Sequence, residues 1–412
     1  MTSSTYQART PQEFKRVSEK YGGIELLTHL TERELTSPAS RWGLRHLLGY
    51  RLLTLPERPF LDLIKSEHDN CPLCYPERAC SQELDHGWAE TLITKCPLDL
   101  STWTDSELLR QPGGFFWVAL ARASRREEIP EPREYPQRER RPLERHGFVD
   151  STESIVGSSP TNSSPTSSSF QVDPSEMSED EHIAQRSKPE DVTVHLLISF
   201  VQFTLNLCLS NDPDAYAEVR PRIERRKSTV YVAGKHSISA EDDGGICRMD
   251  RQITQWRMGH PYLAIFEAKR AFKYLQFDDR TEQLKPVVSN ETLAQYLGEA
   301  LVTWISVFLI AATSTFIRFV HFKFGSQYRE YIDAETRPEQ MALVNDEDRD
   351  TFVYMHSTRW FNLQLAEGRR LALCHILALL RWHGEHGATL LVNADNEMHP
   401  ESEDSYEDNE SE

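Results

Sequence analysis

The opening stretch, MTSSTYQARTPQEFKR, lacks any apolar core, which excludes a secretory signal peptide there. The seven cysteines are odd in number, which excludes a fully paired disulfide framework and points to reduced thiols. An intracellular location is therefore expected, with nucleus and cytoplasm not distinguished. Positive charge is short: the formal net charge is −18, which on its face argues against a nucleic-acid binder. Charge is also missing from the stretch of residues 300–317, about the 18 residues at which a membrane span is considered. Five of its residues are Ser or Thr, and FIRFVHFKF continues it with charges, so strands or a helix end followed by strands are expected, and no membrane partner. His356, His375, His383 and His386 do not group with an acid and a nucleophile, so no Ser or Cys hydrolase is expected. No recognition helix and no aromatic stacking platform stands out either.

What is present is unevenly spread. Between residues 186 and 392, Lys plus Arg number about 25 and Asp plus Glu about 26, so the acid excess lies outside that region. Four parts are expected. Residues 1–121 read as a mostly helical N-terminal region, with apolar faces at Leu26 and Leu27, in SRWGLRHLLGYRLL and in FFWVALARA. Residues 122–188 begin with RREEIPEPREYPQRERRPLER and continue as SSPTNSSPTSSS. They hold too few apolar residues to offset the entropy of ordering, so a disordered linker is expected. Residues 189–393 form a second globular block, and residues 394–412 an acidic disordered tail.

The second block reads as α/β. Pro189, Glu190 and Asp191 suit a first helical turn, and apolar residues then run to Leu209. STVYVAGKHSISA reads as a strand, EDDGG as a turn, ICRMDRQITQW as a second strand and PYLAIFEAK as a third and central one. Ser289 can cap a helix over NETLAQYLGEALVTW. Strands near residues 307–312 and 316–324 follow, then a long helix over about residues 357–382. The resulting order is helix, three strands, helix, strand.

The chemistry concentrates on the third strand. Side chains two apart on a strand share a face, so Glu267 and Lys269 project together while Ala268 faces a helix behind. An Asp from the neighbouring strand end, Asp243 before Gly244, can join Glu267 to hold Mg2+ or Mn2+ by oxygen ligands. Asp242 and Asp250 are the alternatives for that position. Lys269 is then placed to orient or help deprotonate a water, or to stabilise developing negative charge. Gln295 and Glu299 lie one turn apart on the following helix.

DDGG, IFEAKR and QYLGE, in that order, resemble the PD-(D/E)XK nuclease-like superfamily, and most of all its fungal members, which carry the domain after a helix and a disordered stretch. The resemblance covers residues 189–382 and implies a restriction-endonuclease-like core. It implies a Mg-dependent hydrolase of phosphodiester bonds acting on DNA or RNA, or a scaffold that keeps the fold without cutting. It carries Asp243, Glu267 and Lys269 onto the metal- and water-handling positions, and Gln295, with Glu299, onto a supporting one. Glu190 corresponds to a carboxylate that some members add to the metal site. Arg225, Arg226, Lys227, Lys269, Arg270 and Lys273 can meet phosphates, or remain solvated charges partly offset by Glu224, Asp278 and Asp279. Protein partners are expected through the N-terminal region and the acidic tail.

A second site is possible in EHDNCPLCYPERACSQELDHGWAETLITKC. The C-x2-C of Cys71 and Cys74 supplies half of a tetrahedral zinc site, which Cys80 with His86 or Cys96 can complete. His68 lies just upstream. The competing reading is plain burial of the thiols. Cys208, Cys247 and Cys374 read as core.

Overall fold

The computed structural model describes residues 6–69, 71, 73–74, 87–93, 100–125, 189–209, 217–269, 275–278, 283–303 and 307–398. The strands are β1 (Leu52–Thr54), β2 (Ala217–Arg222), β3 (Lys227–Val232), β4 (His236–Glu241), β5 (Gly245–Arg251), β6 (Trp256–Lys269), β7 (Leu275–Asp278), β8 (Gln283–Pro286), β9 (Val307–Thr313), β10 (Phe316–Phe324), β11 (Val353–Ser357) and β12 (Phe361–Asn362). Four helices frame them: α1 (Gly114–Ser124), α2 (Glu190–Leu209), α3 (Asn290–Thr303) and α4 (Ala366–Met398).

The fold is mixed α/β around an eight-stranded sheet. Its order is β1-β11-β10-β9-β6-β5-β2, with β12 beside β10. β6 and β9 run parallel, with Glu267 opposite Ala311 and Lys269 opposite Thr313. β5 pairs antiparallel with both β6 and β2. A parallel neighbour needs a crossover, and α3 lies in that crossover between β6 and β9.

Strand periodicity splits the core into two layers. Ala264, Phe266 and Ala268 of β6, with Phe308, Ile310 and Ala312 of β9, pack in one cluster with residues of α1, α2 and α4. Ile265, Leu309 and Ala311 belong to the other, with α3 and the helix Leu44–Gly49. Glu267 and Lys269 share the parity of Ile265 and so lie on the α3 side. Ala268, fully buried, faces α2 as its small size allows. On α3, Ser289 accepts a hydrogen bond from Thr292 N at 3.1 Å, the expected N-terminal cap. A Cβ added at Gly298 would come within 2.3 Å of Ala39 Cβ, so the glycine of QYLGE is what lets α3 approach the segment Ala39–Arg41.

Several segments differ from the sequence reading. STVYVAGKHSISA is not one strand: positive φ at Ala233 and Gly234, 47° and 68°, reverses the chain into the separate hairpin β3–β4. The core strand before β5 is instead β2, whose Pro221 is tolerated because β2 is the sheet edge. The long helix begins at Ala366, and Val353–Ser357 alternates in burial as the strand β11. The N-terminal region, expected to be mostly helical, also contributes a strand. After the helix Leu44–Gly49, Arg51 takes φ 54° and the chain enters β1, which pairs parallel with β11. The N-terminal region is thus part of the main sheet, and residues 1–125 and 187–412 form one compact unit.

α1 ends at Ser124, and the rest of the expected linker lies outside the described residues. α4 continues to Met398, beyond which the expected tail lies outside them too. No described helix is long and apolar enough to cross a membrane. Residues 300–317 comprise the end of α3, β9 and the start of β10.

Candidate active site at the end of β6

Asp243 and Gly244 are tied to β6 at three points. The Asp243 backbone N–H donates to Phe266 O at 3.0 Å, Phe266 N donates to Gly244 O at 2.9 Å, and Ala268 N donates to Asp243 Oδ2 at 3.0 Å. Gly244 sits at φ 128°, and a Cβ there would come within 2.6 Å of Arg222 O, so only glycine permits this approach. The carboxyl of Asp243 is thereby held against the strand end that carries Glu267.

The neighbouring acids have other duties. Asp242 receives both Arg222 guanidinium nitrogens, at 3.0 and 2.7 Å, and also accepts from Arg226 N and Gly244 N at 3.1 Å each. Both members of that pair are buried. Asp250 pairs with Arg248 at the surface, at 2.9 Å. Of the three aspartates weighed in the sequence, Asp243 alone faces the β6 carboxylate.

Glu267 is 0% exposed and Glu299 1%, whereas carboxylates are seldom buried unless paired. Lys269 Nζ forms an ion pair with Glu267 Oε1. Gln295 Nε2 donates to Glu299 Oε1 at 3.1 Å. Beyond these, no described N–H reaches Glu267 Oε2 or Glu299 Oε2, and the two carboxyls act on each other directly. Gln295 therefore reaches the strand residues through Glu299, and Glu299 is the closer neighbour of Glu267.

The electrostatics follow from this crowding. Burial, then the charge of Glu267, pushes Asp243 up to about 7, against the Ala268 N–H and Arg225, which pull it down. Burial raises Glu267 while Lys269 opposes the rise. Burial and Glu267 drive Glu299 well above the carboxylate range. Burial alone would lower Lys269, but Glu267, Glu190 and Glu299 outweigh it and hold the ammonium protonated. Glu190, at the first turn of α2, acts on Asp243, Glu267 and Lys269 alike. Arg225 adds a cation, 3.1 Å from Asp243 Oδ1 and 3.9 Å from Asp191.

Of the other basic residues, Arg226 stacks over Tyr262 at 5.6 Å and Lys227 is exposed. Arg270 and Lys273 lie outside the described residues. The sequence reading passed over Arg225 as a partner of Asp243, although a cation just upstream of the first hairpin was its visible signal.

A second cluster lies apart from this one. The thiols of Cys71, Cys74 and Cys374 all lie within 4.8 Å of one another, the one such group of potential metal ligands among the described residues. Cys80, His86 and Cys96 lie outside those residues. Cys374, read as simple core, is instead part of this cluster, because α4 brings it across from the far end of the sequence. No protein-family model, no curated protein and no solved structure matches this chain.

Proposed function

We propose that this chain is a metal-dependent, nuclease-like protein that hydrolyses phosphodiester bonds of nucleic acid. The observation that carries the reading is the convergence of Asp243, Glu267 and Lys269 at one end of β6, with the charges of Glu299 and Glu190 acting on them. The element order supports a PD-(D/E)XK assignment: helix α2, strands β2, β5 and β6, helix α3, then β9 parallel to β6.

The residues fit a hard divalent cation. Four carboxylates, Asp243, Glu267, Glu299 and Glu190, act on one another with two cations, Lys269 and Arg225, among them. The buried Oε2 atoms of Glu267 and Glu299 are reached by no described N–H, and the two carboxyls act on each other. Asp243 and Glu267 would hold Mg2+ or Mn2+, consistent with the one or two carboxylates Mg2+ usually takes from protein. When bound, the ion supplies Lewis acidity to a phosphoryl oxygen and acidifies a water. Lys269, kept protonated by Glu267, orients that water or meets the growing negative charge and does not serve as the base in this arrangement. Gln295 and Glu299 position Glu267 from behind. Arg225 and Lys227, at the surface, are suited to phosphates.

A scaffold that keeps this architecture without cutting is the second reading. It draws on the ion pairs Arg225–Asp243 and Lys269–Glu267, which give each proposed ligand a cation already. Assays on single- and double-stranded DNA and RNA with Mg2+, run beside Lys269→Ala, separate the two. The nuclease reading expects cleavage that the variant loses while remaining folded. Equal cleavage by both proteins overturns it. Calorimetry with Mg2+ or Mn2+ should show binding that Glu267→Ala loses, whereas a scaffold shows neither.

A further inference from the structure

We infer that Cys71, Cys74 and Cys374, with His68 as the fourth donor, hold a structural zinc ion that fastens the segment around residues 65–74 to helix α4. This inference is independent of the reading of the β6 site.

Three thiols converge from two remote parts of the chain, all within 4.8 Å. Thiolates about 2.3 Å from zinc at tetrahedral angles stand about 3.8 Å apart, so the cluster needs only a small contraction to close on the ion. Cys71 and Cys74 come from one turn, in which Cys71 N donates to His68 O and Cys74 N to Cys71 O, each at 3.0 Å. Such a turn presents two sulfurs on one side, and Cys374 supplies the third from α4. Three thiols cannot all pair as disulfides, since any one bond leaves the third alone.

His68 is fully buried, and its Nδ1 lies 3.3 Å from Cys74 Sγ; it is not within 4.8 Å of all three thiols, so its ring must shift toward the ion to complete the set. Its ring packs against Phe60, with centroids 4.2 Å apart, and against His375 at 4.6 Å. Three thiolates and an imidazole leave the zinc complex with one negative charge. The Arg370 guanidinium acts on both Cys74 and Cys374 and so offsets it.

The surroundings are those of a staple. Arg370 also donates to Leu73 O and Arg381 Nη2 to Glu67 O at 2.9 Å, so α4 already grips this segment beside the thiols. Ile64, Leu73 and Leu371 belong to the same buried apolar cluster as Cys71 and Cys374. Four protein donors leave no open position for substrate, so the site is closed and structural.

The test measures zinc in the full chain purified under reducing conditions, with alkylation of cysteines before and after chelation read by mass spectrometry. About one zinc per chain is expected, with Cys71, Cys74 and Cys374 protected until the chelator is added. Cys374→Ser should weaken zinc binding at least about tenfold, while Cys247→Ser, which alters a buried thiol elsewhere, should not. Cobalt exchanged for zinc in the unaltered chain should give thiolate-to-metal charge-transfer absorption, which needs no variant to fold. Absence of zinc together with absence of that band overturns the proposal, as does a Cys374 alkylated equally with and without chelator. Unchanged zinc affinity in His68→Ala removes His68 from the ligand set.

Discussion

Glu267 on β6 and Glu299 on α3 meet carboxyl to carboxyl, both shut off from solvent, and burial with the charge of Glu267 raises Glu299 well above the usual carboxylate value. That shift favours the neutral acid, which can share a hydrogen bond with Glu267 where a second carboxylate would repel it. Glu299→Gln keeps a donor and the side-chain shape without the charge. Its unfolding free energy in chelator should stay within about 1 kcal/mol of the parent, as read by urea denaturation. A loss beyond about 3 kcal/mol would mean that Glu299 is ionised and paired.

Asp243 makes stability depend on pH in the direction opposite to that of an ordinary ion-paired aspartate. Its folded value of about 7 stands above the usual 3.8, so folding favours the neutral acid. That contribution is complete below about pH 4 and is lost as pH rises through about 7. Asp243→Asn does not titrate. Between about pH 4 and pH 8 the variant should gain on the parent by at most about 4 kcal/mol in chelator. Saturating Mg2+ at pH 8 should narrow the gap. A gap that does not change with pH would place Asp243 in solvent.

Arg222 and Asp242 form a buried pair, whereas Arg248 and Asp250 form an exposed one. Removing one partner from a buried pair strands the other charge. Asp242→Ala should therefore cost roughly 3–5 kcal/mol, against less than about 1 kcal/mol for Asp250→Ala. Chemical denaturation of the two variants side by side makes the comparison. Equal costs would contradict the division of labour between the aspartates.

Gly298→Ala places a methyl group 2.3 Å from Ala39 Cβ, and neither backbone is free to retreat far. A loss of about 1–3 kcal/mol is expected, despite the better helix propensity of alanine. A more stable variant would show that α3 can slide.

The elements legible in the sequence were those with one dominant signal. The apolar run of β6, the aromatic alternation of β10 and the Ser289 cap each announce themselves locally. Pro221 concealed β2, because proline argues against a strand unless the strand is known to be an edge. The three-residue loop at Ala233 and Gly234 concealed a hairpin, since β-branched residues flank it on both sides. At the site, parity placed Glu267 and Lys269 on one face, yet the rank of Asp243 over Asp242 depended on Arg222, which no spacing rule connects to it. Cys374 is separated from Cys71 by about three quarters of the chain, and only the path of α4 brings them together.

β1 enters the main sheet beside β11, at the opposite edge from β2. The two segments on either side of residues 126–186 thus share strands as well as core, and the covalent connection between them is not what keeps them together. A protease nick anywhere between Arg125 and Ser187 should leave a two-chain particle that co-elutes as one species and separates only in denaturant. The two pieces, expressed apart, should reassemble as a split protein.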